Sequence, residues 1–294
     1  MKASDIVNLI VLAAVWGASF LFMRMGVPDF GPVAVVELRL AIAALFLLPI
    51  LWLRAGLGEL VVHWRPLTIL GFLNSAIPFL MFSYATQYVT AGYSAVINAT
   101  APLWGALVAW LWLSERLSMV GVIGVITGFA GVAVLTGDTQ SLASPGATGA
   151  ALAAIAGAFF YGIGANFARR YTRHLNSLSV ATGSMLFPSL LLSPAAIVYW
   201  PGAQPSPAAW IAIISMGIAS TGFAYILYFR LISNVGPAKA ITVAYLIPVF
   251  AMLWGVLLLR ETVSSHMIIG CGIIFAGTAL VSGVFRRNRV AAGS

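Results

Sequence analysis

Two charges interrupt an apolar stretch early in the chain, Glu37 and Arg39. An ionisable group inside apolar sequence is costly and needs a partner or a task. The two stand two positions apart, so they do not share a helix face and each must find its own partner. Glu37 lies about one turn from the end of its run and Arg39 slightly deeper, a placement we read as structural pairing near an interface. Prolines offer a second kind of chemistry. Pro102 and Pro248 fall deep inside apolar runs, where a proline removes one helix hydrogen bond and clashes one turn back. Each should kink its helix, and the freed carbonyls either bind a polar solute or only shape the packing. Asn98 precedes Pro102 by four residues and can share its face. Aromatic and small polar residues complete the set: Trp16, Ser19, Phe20, Tyr84, Tyr161 and Asn166. A cavity with aromatic walls and few hydrogen-bonding groups suits a small amphipathic solute. Lys239, at the edge of a run, either attracts a carboxylate or snorkels to headgroups. These ten residues, with Pro102 and Pro248 among them, are the candidate substrate-binding positions.

The chemistry on offer is non-covalent. No nucleophile–base constellation and no zinc-ligand cluster can be read, and His63, His174 and His266 fall in or beside short connections. No phosphate-cradling glycine loop is present, which argues against an ATP-driven pump within this chain. The expectation is no cofactor, no metal and no enzymatic activity. The single cysteine, Cys271, allows no intrachain disulfide. Proton antiport needs a membrane-buried carboxylate that changes protonation with substrate. Only shallow Glu37 qualifies, so the expected transport is gradient-driven without tight proton coupling.

These residues sit in a chain that is 61% hydrophobic and 7% charged over 294 residues. A soluble domain carries about a quarter charged residues. We read ten apolar runs: 6–25, 33–53, 67–87, 91–113, 118–136, 148–168, 178–200, 208–230, 236–259 and 264–285. Runs of roughly 20 residues cross a hydrocarbon core as helices, which satisfy their own backbone hydrogen bonds. Strict alternation is absent, which argues against a barrel. The first run follows Lys2 and resembles a signal peptide in position, but later spans need it as a partner, so it is read as retained. The formal charge of +8 has a topological origin rather than a nucleic-acid partner. With the N-terminus inside, the cytoplasmic side collects Lys2, Arg54, Arg65, Arg116, Arg169, Arg170, Arg173, Arg230, Lys239, Arg286, Arg287 and Arg289, against Arg24 and Arg260 outside. That bias places both termini in the cytoplasm of an inner-membrane protein.

The chain also repeats itself. At an offset of 146, Pro102 meets Pro248, Glu115 meets Glu261, Gly124 meets Gly270 and Gly131 meets Gly277. At 145, Trp16 meets Tyr161, Gly17 meets Gly162 and Arg24 meets Arg169. This divides the chain into 1–137, a linker 138–147, and 148–294. Five spans per half is odd, so the second half must be inverted. The expected fold is an all-α membrane protein of ten transmembrane helices in two inverted five-helix repeats. Such repeats are a transporter signature, with substrate near the midplane between them. Gly121, Gly124, Gly128 and Gly131 should form a close-packing helix face, and we expect spans 4, 5, 9 and 10 to be the scaffold. Glu115 and Glu261 end their spans, and helix-end hydrogen bonding or pairing with Arg116 and Arg260 is expected.

Trp16–Gly17, Arg39 after Pro32, and the block ATAPLWGALVAWLWLSERLSMVGVIGVITGFAGV echoed by VAYLIPVFAMLWGVLLLRETVSSHMIIGCGIIFAGT carry a resemblance. The chain resembles the drug/metabolite transporter superfamily, in particular ten-helix EamA-type exporters, over essentially its whole length. Within that group it is most similar overall to YddG-type exporters of aromatic amino acids. The resemblance rests on overall likeness rather than on a motif, and it implies export from cytoplasm to periplasm. It implies alternating access, a small-molecule substrate, a bilayer partner and a monomer. Export of another metabolite or a cationic drug is the alternative, disfavoured because no acidic group lies deep among the aromatics. One departure is Ser184, which stands where the counterpart of Arg39 falls.

Overall fold

The computed structural model describes residues 2–139 and 141–282. Arg286, Arg287 and Arg289, counted above for topology, lie outside the described residues. Among the described residues the structure is helical, without strands. Seven helices are long and apolar enough to cross a membrane: α1 (Ala3–Arg54), α2 (Trp64–Ala85), α3 (Ala91–Leu113), α4 (Met119–Thr136), α5 (Ala147–Tyr171), α6 (Ser177–Val198) and α7 (Pro207–Val235). Two shorter apolar helices follow, α8 (Val243–Leu259) and α9 (Ser265–Val281). Helix α1 holds two arms, 3–30 and 32–54, parted at Gly31 with φ 72° and ψ 162°. Only glycine adopts that conformation cheaply.

Local signals recur at the sequence offset of 146. Ser118 caps α4 by accepting from the Gly121 N–H at 3.2 Å, and Ser264 caps α9 by accepting from the Met267 N–H at 3.2 Å. Helix α3 ends on Ser114 and α8 on Arg260, both at φ 55°. In each case the next N–H reaches six residues back, Glu115 to Ala109 and Glu261 to Gly255, which satisfies an orphan carbonyl. Two π-helical segments, Phe72–Ala76 in α2 and Ile218–Phe223 in α7, stand at the same offset. Such segments widen one turn and are frequent at functional sites.

Helix α3 is interrupted at residues 99–100, within the turn before Pro102, where the proline expectation puts a kink. Pro102 opens the second piece, so its missing N–H costs nothing there. Pro248 lies inside α8, and the chain before it is broken instead at 241–242.

Glycines bring backbones together at matched positions. A methyl added to Gly124 would lie 2.7 Å from the Gly277 carbonyl oxygen, and one on Gly131 would lie 2.9 Å from that of Gly270. Going up α4 means going down α9, so the two helices cross antiparallel. Gly17 presses on Phe250 and Ala251, while Gly162 presses on Trp104 and Gly105. Gly71 faces Ser184 and Pro188, while Gly217 faces Ile42 and the Arg39 carbonyl. Each contact has a mate at the repeat offset in which the two partners exchange places.

Candidate functional site

Arg39 lies eight residues past Gly31, about 12 Å along the second arm of α1 at 1.5 Å per residue. It is 4% exposed. Its Nε donates to Thr221 Oγ1 at 2.9 Å, and its guanidinium carbon sits 3.6 Å from the centre of the Phe79 ring. The Thr221 hydroxyl donates in turn to the Met216 carbonyl at 3.0 Å, a bond five residues back that the π-helical turn permits. That donation leaves the Thr221 lone pairs for Arg39. Nη1 of Arg39 has no hydrogen-bond partner. Phe79, Tyr161 and Tyr225 belong to the apolar cluster built around Val36 and Leu40 on the same arm.

The surroundings of Arg39 are drawn from both halves. Phe79 and Tyr225 are mates at the offset of 146, and so are Ser75 and Thr221, on the two π-helical segments. Ser75 is buried beside the Tyr225 hydroxyl. The partners of Arg39 are thus a hydroxyl and an aromatic ring rather than a charge. Glu37 points elsewhere, accepting from Ser189 Oγ at 3.1 Å. Among the described residues the ion pairs are Arg24–Glu261 and Arg169–Glu115, and neither involves Arg39.

An aromatic path continues from this point. Tyr161 stacks on Phe82 with centroids 6.1 Å apart, and Phe82 meets Phe20 edge-on at 5.6 Å. Phe20 and Phe82 belong to a second, larger buried cluster, which Trp16 borders, packing also against Tyr228 at 5.1 Å. The Ser19 hydroxyl is buried without a partner, as is the Asn98 side-chain oxygen at the end of the first piece of α3. The cluster also includes Ile97 and Ala99, just before Pro102, and Ile247 and Ala251, either side of Pro248. Trp16, Phe20 and Tyr161 thus share one buried cluster with residues next to the two prolines. Asn166 is differently employed: its side-chain amide donates to the Gly105 carbonyl at 2.8 Å and to that of Gly162 at 2.9 Å, tying α5 to α3. Tyr84 is exposed and packs on Tyr88, and Lys239 is exposed on the short helix Pro237–Ala240.

A depression lies at each end of α3. One, of about 580 Å³, is lined by Arg24, Thr86, Leu259 and Glu261. The other, of about 510 Å³, is lined by Leu113, Glu115, Arg169 and Arg173. The pairing of Glu115 and Glu261 with their sequence neighbours is corrected here. Glu261 pairs with Arg24 at 3.5 Å and also accepts from the Ala91 N–H at 3.0 Å, while Arg24 donates to the Thr86 carbonyl. Glu115 pairs with Arg169 at 2.5 Å in an exposed position. The left-handed residue at 260 folds the Glu261 carboxylate back over Gly255 of α8, where it meets Arg24 and the Ala91 N–H rather than Arg260. Burial pushes the Glu261 carboxyl above its ordinary value of 4.5, and the Ala91 N–H and Arg24 oppose that shift. Each pair joins one half to the other, and the two exchange under the repeat.

Arg39 stands outside the ten candidate positions, and its mark in the sequence is the lack of a charged counterpart at Ser184 within an otherwise matched frame.

Known proteins agree with this architecture. A model of the EamA-like transporter family matches residues 4–137 and again 148–283. The chain is 29% identical over 280 residues to "Uncharacterized inner membrane transporter YedA" of Escherichia coli (strain K12), covering 93% of this chain and 89% of that one. It is 23% identical over 286 residues to "Uncharacterized transporter YoaV" of Bacillus subtilis (strain 168), covering 96% and 98%. A solved structure superimposes with a TM-score of 0.65 at 20% identity, over 98% of this chain and 99% of the other, which speaks for the fold alone.

Proposed function

We propose a transport cycle for this chain from one premise: it belongs to the EamA-like transporter family and is a multi-pass membrane transporter. Counting the two arms of α1 separately, together with α2 to α9, there are ten spans. Each half, 1–137 and 148–294 about the linker 138–147, holds five of them, and the second half is inverted. Both termini face the cytoplasm of the inner membrane. The halves rock about a central site and expose it to one side at a time. The protein acts as a monomer.

The observation that carries this reading is the exchange of contacts. Arg24–Glu261 and Arg169–Glu115 are mates, and they sit at opposite ends of α3. The antiparallel crossing of α4 and α9, whose glycines also exchange, supports inversion. Two nearly equivalent halves supply two nearly equivalent packings, which alternating access requires.

The solute is a small amphipathic metabolite exported from the cytoplasm, with aromatic and other amino acids the leading class. The aromatic path from Tyr161 to Phe20 supports an apolar or aromatic side chain. Trp16, Ser19, Phe20, Asn98, Tyr161, Pro102 and Pro248 remain the proposed lining. Asn166 serves the frame beside it. Competition flux on purified protein in liposomes tests the preference. Aromatic amino acids should compete better than threonine, aliphatic amino acids or quaternary amines. Equal competition by every compound would remove the aromatic preference.

A further inference from the structure

A matched frame makes an unmatched residue informative. Around Arg39 the two halves contribute mates, Phe79 with Tyr225 and Ser75 with Thr221. The arginine itself has no mate, because Ser184 takes that place and its hydroxyl bonds only locally to the Ala181 carbonyl. One positive charge therefore sits close to where the halves meet. Packing does not demand it there, since the second half builds the same contact with a serine.

The guanidinium is also prepared rather than satisfied. Thr221 fixes Nε and the Phe79 face fixes the plane. Nη1 remains buried and unpartnered, and neither ion pair among the described residues involves this side chain. A buried cation with a vacant donor is costly unless something else completes it. A planar guanidinium held this way matches a planar anion. A single positive charge balances a monoanion, whereas a phosphate dianion would leave excess charge in the bundle. Phe79, Tyr161 and Tyr225 offer apolar surface beside that anion.

We infer that Arg39 binds the carboxylate of the transported solute, so the substrate class is small monocarboxylates bearing an apolar or aromatic group. This deepens the transport reading above and rests on it. Amino acids and simple carboxylic acids share the recognised group, and the test separates them.

The experiment measures ligand-induced thermal stabilisation of the purified full chain, alongside flux in liposomes. The probes are phenylalanine, 3-phenylpropionate, phenylalanine methyl ester, phenethylamine and inorganic phosphate. Phenylalanine and 3-phenylpropionate should stabilise the wild type, whereas the ester, the amine and phosphate should not. A clear advantage of phenylalanine over 3-phenylpropionate would mark an amino acid as the ligand, and parity would mark carboxylic acids in general. Arg39→Met should weaken binding of both carboxylates by about tenfold to a hundredfold, the scale of a charged hydrogen bond. Arg39→Lys should fall between, because it keeps the charge and loses the fork. Without ligand, Arg39→Met should unfold no earlier than the wild type, since it removes an uncompensated charge. The inference is overturned if the ester or amine binds as well as the acids, if Arg39→Met binds the acids like the wild type, or if no acid binds at millimolar concentration. Should Arg39→Met fail to fold, the comparison of acid with ester on the wild type still decides. Carboxylates that bind through Arg39 but never cross the bilayer would sink the transport reading alone. Solutes that cross without regard to a carboxylate would sink the Arg39 assignment alone.

Discussion

The glycine contact between α4 and α9 permits a quantitative test by one substitution at two sites of one helix. A methyl at Gly124 would sit 2.7 Å from the Gly277 oxygen, 2.8 Å from Leu280 Cβ and 2.9 Å from a Val281 methyl. Ordinary carbon contacts begin near 3.5 Å, so the helices must part by roughly 0.7 Å. Overpacking of this kind costs about 1–3 kcal/mol. A methyl at Gly121, on the same helix, would meet nothing nearer than 3.6 Å. Gly→Ala gains about 1 kcal/mol of helix propensity in a helix interior and less at Gly121, in the first turn of α4, so that term partly offsets the overpacking at Gly124. Gly124→Ala should still be less stable than Gly121→Ala, by roughly 1–2 kcal/mol. Denaturant unfolding of the purified variants in mixed micelles measures that gap, and competition flux should show unchanged substrate preference for both. Gly270→Ala, the repeat mate, should cost less than Gly124→Ala, because its nearest neighbour is 3.1 Å away. Equal stability of Gly124→Ala and Gly121→Ala would refute the backbone-to-backbone packing.

Three further outcomes are expected. The Glu261 carboxyl is held above 4.5 in the folded protein, so its contribution to stability is full below that value and lost as pH rises through the raised one. The stability of the wild type relative to Glu261→Gln should therefore decline with rising pH, and thermal unfolding at a series of pH values that showed the opposite trend would reverse the balance between burial and Arg24. Glu115→Gln removes an exposed ion pair and should change stability by no more than about 1 kcal/mol, measured by the same unfolding assay. Finally, Glu37 is a shallow carboxylate held by Ser189 and does not contact Arg39, so an imposed pH gradient alone should drive no uphill flux in proteoliposomes; accumulation under that gradient would contradict the uncoupled reading.

Much of the architecture was legible because it follows from one-dimensional patterns. Apolar runs of membrane-crossing length mark helices wherever a backbone must satisfy itself. The offset of 146 could be read from prolines, glutamates and glycines, and the structure places serine caps at 118 and 264 and left-handed ends at 114 and 260 on the same offset. The glutamates were legible only in part: Glu261 makes a helix-end hydrogen bond, to the Ala91 N–H, but pairs with Arg24 rather than with adjacent Arg260, because its direction depends on how the chain turns over two or three residues. Apolar periodicity carries no information about such turns.

The sequence by itself determined the material of the bundle, its doubling and the solitary character of Arg39. These follow from composition and from spacing along the chain. Only the tertiary structure decided which groups meet across a hundred residues or more: Arg39 with Thr221, Arg24 with Glu261, Asn166 with a backbone carbonyl of Gly105 rather than with a solute. Helix rotation sets those meetings, and the glycine contacts between helices set the rotation. A buried donor left vacant is a property of three-dimensional surroundings, and no pattern of residue types along the chain records it.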